Sequence, residues 1–94
     1  MRFVLFILVI LFTLPAYAQT VEDGYKAYDV GDYETAKSIM LLLAEQGNPK
    51  AMNAMGNFYS EGKAFPENAK IACDWYEKAA NKEYASAQNN LGLK

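Results

Sequence analysis

Displaced by 36 residues, the second half of this chain falls onto the first. Ala51, Met55 and Gly56 meet Ala87, Leu91 and Gly92, while Ala36, Ala44 and Asn53 meet Ala72, Ala80 and Asn89. Small residues recurring at this period and at helical spacing constrain the fold more than any other feature. Each unit must be a helix pair whose apolar face is buried only by its neighbour. The expected fold is all-α, an antiparallel helix-pair solenoid with units at about 20–48 and 49–84 and a partial unit at 85–94. Arrays of this kind act by presenting extended binding surfaces.

The repeat occupies residues 19–94, and what precedes it has another character. Met1-Arg2 is a short positive start, Phe3 to Leu14 is uncharged and almost wholly apolar, and Pro15 breaks the run. Ala16-Tyr17-Ala18 then offers small residues where a signal peptidase reads, so residues 1–18 are expected to be a signal peptide cut between Ala18 and Gln19. As a helix the apolar stretch would span roughly 18 Å, short of the ~30 Å hydrocarbon core, which argues against a membrane anchor. The implied product is exported, periplasmic or secreted and bacterial, with no stable membrane insertion after cleavage.

Helix boundaries are marked by their own chemistry. Thr20 with Asp23 three residues on resembles a capping box, opening a helix near Val21 that ends at Val30-Gly31. Asp32 caps a second helix with Ala36, Ile39, Met40, Leu43 and Ala44 on one stripe and Gly47 as its stop. Asn48-Pro49 opens a third, running to about Ser60. A longer connection leads to a fourth, from about Glu67 to Asn81, with Ile71, Ala72, Trp75, Tyr76, Ala79 and Ala80 on its stripe, and a fifth starts near Ala85. Joints this short force successive helices antiparallel. Ala51, Ala54 and Gly56 let the fourth helix approach the third, with Phe58, Trp75 and Tyr76 filling the wedge between them.

The chemistry of the chain disfavours catalysis. Without histidine it lacks the commonest general base and the commonest metal ligand, and no paired-cysteine, phosphate-loop or nucleophile-elbow pattern is present. No enzyme activity, cofactor or metal is expected. Its acids are spread at salt-bridge spacing, as in Lys70-Asp74 and Asp74-Lys78. After cleavage eight lysines face eleven acids, a formal charge of −3, which gives no basic footprint for nucleic acid. Cys73 stands alone, so no intrachain disulfide can form; it is read as a small filler on a helix flank, or as an intermolecular redox contact.

Ala54-Met55-Gly56, Tyr59, Gly62-Lys63-Ala64-Phe65, Trp75-Tyr76-Glu77-Lys78-Ala79-Ala80 and Ala85-Ser86-Ala87-Gln88-Asn89-Asn90-Leu91-Gly92 together resemble the Sel-one-like repeat family, a branch of the tetratricopeptide-like solenoids. Ala64, Asn68 and Ile71 depart from that pattern in the loop and helix start. Gly24-Tyr25-Lys26-Ala27-Tyr28 with Gly31-Asp32-Tyr33 and Ala36 is similar to a plain tetratricopeptide repeat with a shorter internal turn, as suits a capping unit. The resemblance implies a protein or peptide partner held on a concave face lined by the first helix of each pair. The resemblance also implies an alternative, a cell-wall-related or β-lactam-hydrolysing or β-lactam-binding protein, since some exported members are linked to β-lactam hydrolysis or binding, on a disulfide framework that a single cysteine cannot build.

On that face the candidate partner-binding residues are Tyr25, Tyr28, Lys50, Asn53, Asn57, Glu61 and Asn89. Asparagines beside a lysine suit an extended peptide backbone or a carboxylate; equally, Asn53 and Asn89 can brace neighbouring helices. Leu41-Leu42 stand where the next unit has Glu77-Lys78: either both are exposed in a second, apolar surface or, the favoured expectation, one of them turns in to cover the thin first unit. About three units are usually needed for a stable array. Two and a partial third suggest either a truncated remnant of a longer array or self-association through the open C-terminal end.

Overall fold

The computed structural model describes residues 19–92, and the expected signal peptide, Ala18 of its cleavage point and Leu93-Lys94 lie outside the described residues. Among the described residues there are five helices and no strand: α1 (Val21–Asp29), α2 (Tyr33–Glu45), α3 (Pro49–Glu61), α4 (Ala69–Ala80) and α5 (Ala85–Asn90). Each helix packs against the next in sequence, α1 on α2, α2 on α3, α3 on α4 and α4 on α5. The all-α fold is as expected. No helix among the described residues is long and apolar enough to cross a membrane.

Capping sets most of the boundaries. The Thr20 hydroxyl accepts the Asp23 N–H at 3.2 Å while the Thr20 N–H donates to Asp23 Oδ2 at 3.0 Å, completing a reciprocal box. Asp32 accepts from the Thr35 N–H, and Asn48 from the N–H groups of Lys50 and Ala51, with Pro49 in the first helical turn. The fourth helix begins two residues later than the sequence suggests. Asn68 is its cap, accepting the Ile71 N–H at 3.0 Å, while its own N–H donates to the Tyr59 carbonyl. That bond and the Phe65 ring, stacked on Tyr59 at 4.2 Å, fold the preceding loop back onto α3.

The core runs along the seam between helices. Phe58, Met40 and Met55 are its largest fully buried side chains, joined by Ala36, Ala44, Ala51, Ala54, Ala79 and Ala87. Of the expected α4 stripe, Ala72, Tyr76, Ala79 and Ala80 are buried, while Ile71 and Trp75 are only half-buried. Trp75 gives its outer face to the Lys78 ammonium, 4.4 Å from the ring centroid. The Lys70–Asp74 pair forms at 3.4 Å, whereas the expected Asp74–Lys78 pair is replaced by this cation–π contact.

The two units share a device that a uniform 36-residue shift hides. A Cβ on Gly24 would meet the end of Met40, and a Cβ on Gly56 would meet the Tyr76 ring. Met40 and Tyr76 are 36 apart, but the two glycines are 32 apart, because the turn inside the first unit is four residues shorter. The closing turns differ as well. Gly47 has φ 96°, and its equivalent Glu83 has φ 62°, the only described non-glycine residue in that region. A side chain there costs on the order of 1 kcal/mol relative to glycine.

Candidate functional site

The first helices of the units, α1 and α3, lie side by side, with α5 following on the far side of α3. Glu22 on α1 and Lys50 on α3 pair at 3.2 Å, and Tyr28 on α1 donates its hydroxyl to Glu61 at the far end of α3. Asn90 on α5 donates its amide to Asn53 Oδ1 at 3.0 Å. These links join α1 directly to α3 and α3 directly to α5. All seven residues expected on the concave face belong to these three helices. Their roles are not equal.

Asn53 takes the bracing role, one of the two that the sequence leaves open. It is 7 % exposed and its oxygen is engaged by Asn90, so it braces α3 against α5 and offers no free surface. A polar side chain here is retained because both halves of the pair are satisfied. Asn89, its equivalent in the repeat, is exposed, and Asn90 rather than Asn89 makes the brace. Asn57 is half-buried and accepts the Tyr76 hydroxyl at 2.7 Å. That bond is made because Tyr76, though on α4, passes over the bare backbone of Gly56 and brings its hydroxyl to Asn57.

The tyrosines combine packing with a polar tip. The Tyr28 ring stacks on Phe58 at 4.4 Å and 4°, and Tyr25 meets Phe58 edge-on at 6.5 Å and 86°. Both are half-buried, so their rings belong to the core and their hydroxyls to the face. Burial is the main reason the Tyr25 hydroxyl is harder to ionise than usual, with Asn57 acting in the opposite sense and Tyr84, Glu61 and Lys50 all within electrostatic reach. Lys50 is exposed and held more firmly protonated by its bond to Glu22; Glu22 is held below its usual range by a backbone hydrogen bond and by Lys50. The face is thus a strip with the Glu22–Lys50 pair at one end, tyrosine and asparagine in the middle, and Glu61 at the other.

Tyr84 is the member that the sequence reading missed. It lies half-buried against the core. It holds the N-cap position of α5 but makes no side-chain cap bond. Its equivalent 36 residues earlier is Asn48, which does cap α3. A tyrosine where the repeat calls for a capping asparagine is the signal that could have found it.

Tyr28 gives the face a pH signature. Burial, then the bond to Glu61 and that carboxylate's charge, push its hydroxyl well above the ordinary value of 10.0. An unfolded tyrosine loses its proton near pH 10, while folded Tyr28 keeps it, so the unfolded state gains above that point. Stability is therefore expected to be unaffected by this group below about pH 10 and to fall as pH rises further. Urea midpoints from pH 8 to 11 check this. Tyr28→Phe should flatten the slope in part, because burial raises Tyr25 and Tyr76 in the same sense.

Outside this face, Leu41 is 38 % and Leu42 52 % exposed, so neither turns inward. Cys73 is exposed and unpaired. Among the described residues, no group of three or more acid, cysteine or histidine side chains gathers to hold a metal ion.

No protein-family model matches the chain, and no solved structure matches it. Over 51 residues, 54 % of its length, it is 45 % identical to Chitin synthase regulator SKT5 of Saccharomyces cerevisiae. The chain spans only 7 % of the length of that relative.

Proposed function

We propose that this chain is an exported, non-catalytic interaction module of the Sel-one-like class, binding an extended peptide or a protein segment across α1, α3 and α5. The observation that carries this reading is the row of side chains joining α1 to α3: the Glu22–Lys50 pair, Tyr25 and Tyr28 against Phe58, and the Tyr28–Glu61 bond, with half-buried Asn57 on the same helix. Its rings are fixed by Phe58, its helices by Asn53–Asn90, and its charged ends stand in solvent. Rigid aromatic bodies with exposed polar tips provide contact area at little entropic cost, as binding faces require. Amide and hydroxyl groups along the strip suit the carbonyl and N–H groups of an extended backbone. The export assignment rests on the Met1–Ala18 pattern. The relative's name describes a regulator of another protein, which is compatible with a module that works by contact.

The test is selection of displayed peptides on the purified protein, followed by titration of a selected peptide against wild type and the Lys50→Gln, Glu61→Gln double variant. Both positions are exposed, so helicity should be unchanged. Binding is expected to weaken at least tenfold, about 1.4 kcal/mol. Equal affinity in a variant of unchanged helicity would remove the strip from consideration.

A further inference from the structure

The two ends of the strip differ in how their charge is met. At one end Glu22 is matched by Lys50. At the other, α1 ends on Asp29 and α3 on Glu61, both exposed, and the Tyr28–Glu61 bond holds these two helix ends together. The C-terminus of a helix carries partial negative charge, so an acid there is repelled and a cation is favoured. Yet α3 has no basic residue in its last turn. Among the described residues, Lys26 in the last turn of α1 and Lys63 just beyond α3 form no ion pair with either carboxylate. The acids that open α2 are already engaged, Asp32 as its cap and Glu34 by Lys37 at 2.9 Å. After burial and the bond to Glu61, the charges of Glu61 and Asp29 add to the hold on the Tyr28 proton.

Aromatic surface lies beside this charge. The Tyr28 and Tyr33 rings meet at 5.1 Å and 56°, both half-buried, and Phe58 backs Tyr28. Glu61 accepts the Tyr28 hydroxyl through Oε1, which leaves Oε2 for a donor from outside. A guanidinium stacks on rings while donating to a carboxylate, and it sheds water more readily than an ammonium does. Given the peptide-binding reading on which this depends, we infer that this end of the strip, formed by Tyr28, Tyr33, Asp29 and Glu61, takes an arginine side chain of the bound segment. From Lys50 to Glu61 the α3 face is about 16 Å long, so about five extended residues reach from end to end.

The probes are pools of acetylated and amidated peptides about six residues long. Each pool fixes arginine, lysine or glutamine at one position and has uncharged residues elsewhere, so the fixed side chain is the only charge. In fluorescence anisotropy, arginine at one end should bind about tenfold more tightly than glutamine there, with lysine between them. Asp29→Asn with Glu61→Gln should remove most of that difference, whereas Lys50→Gln should keep it even where overall affinity drops. Tyr33→Leu should bring arginine down to lysine. Binding without any gain for arginine, or a gain that survives the Asp29 and Glu61 changes, would overturn the arginine site and leave the peptide strip standing. No binding by any pool would remove both. In the free protein Asp29→Asn should hold or raise the melting temperature; a fall would also overturn the site, by showing that this carboxylate already has a partner.

Discussion

Gly56→Ala is expected to lower the melting temperature by about 8–16 °C, although alanine is the better helix former. A methyl group at this position would lie 2.5 Å from Cδ1 and 2.9 Å from Cζ of the Tyr76 ring. Tyr76 is 8 % exposed, and its hydroxyl is tied to Asn57. The ring must therefore shift as a rigid body, straining the α3–α4 seam and breaking the hydroxyl bond. Overpacking of this kind costs about 3 kcal/mol, and helix propensity returns about 1. The net loss, roughly 2 kcal/mol, is large for a domain of this size, whose stability is typically about 3–5 kcal/mol.

Gly24→Ala separates this cause from any general intolerance of the unit glycines. There the nearest atom is Met40 Cε, at 2.8 Å, the free end of a flexible chain that can swing aside. The change should be near neutral, since the propensity gain offsets a small repacking cost. Thermal melts followed at 222 nm compare the two variants directly. Tyr76→Leu combined with Gly56→Ala should recover part of the loss, as expected of a coupled pair. Equal losses at both glycines would show that Tyr76 is not the cause.

The all-α architecture was legible because its determinants are local. Thr20, Asp32 and Asn48 cap where a sequence rule places them, and Ala36, Ala44, Ala51 and Ala54 are buried where the stripe puts them. What escaped depends on contacts between elements distant in sequence. The four-residue offset between the two Gly–bulky pairs appears only once Gly24 is seen against Met40. Asn53 pointed away from the apolar stripe of its own helix, but a neighbouring helix covers that side too, so helical phase alone could not predict its burial. The α4 start moved because a loop bond to the Tyr59 carbonyl, 9 residues back, decided it.

Exceptions to the repeat were more informative than its matches. Gly47-Asn48 is a relaxed turn followed by a working cap, whereas Glu83-Tyr84 is a left-handed glutamate followed by a tyrosine that caps nothing. Local preference is given up at both positions, and the Tyr84 ring packs against the core instead of capping. Departures from local rules tend to gather where a fold serves function. The same 36-residue comparison set Leu41-Leu42 apart from Glu77-Lys78, and both leucines are exposed.

Phe58→Ala should have the largest effect of any single substitution, leaving the chain substantially unfolded at 25 °C. Phe58 is fully buried, with Tyr28 stacked on its ring and Tyr25 against its edge. Truncating a buried phenylalanine costs about 3–5 kcal/mol, comparable with the whole stability expected at this size. The damage should begin in α1. That helix has nine residues, below the length at which an isolated helix persists in water, so it depends on docking to α2 and α3. Its dock on α3 consists of the two tyrosines on Phe58, the Tyr28–Glu61 bond and the Glu22–Lys50 pair. The polar links are exposed and contribute little without the rings to position them. Phe58→Leu keeps most of the volume and should cost much less, which distinguishes cavity formation from loss of the aromatic contacts. Hydrogen exchange on Phe58→Leu provides the regional check: α1 amides should lose protection before those of α3 and α4, and uniform loss across all helices would show that Phe58 does not anchor α1.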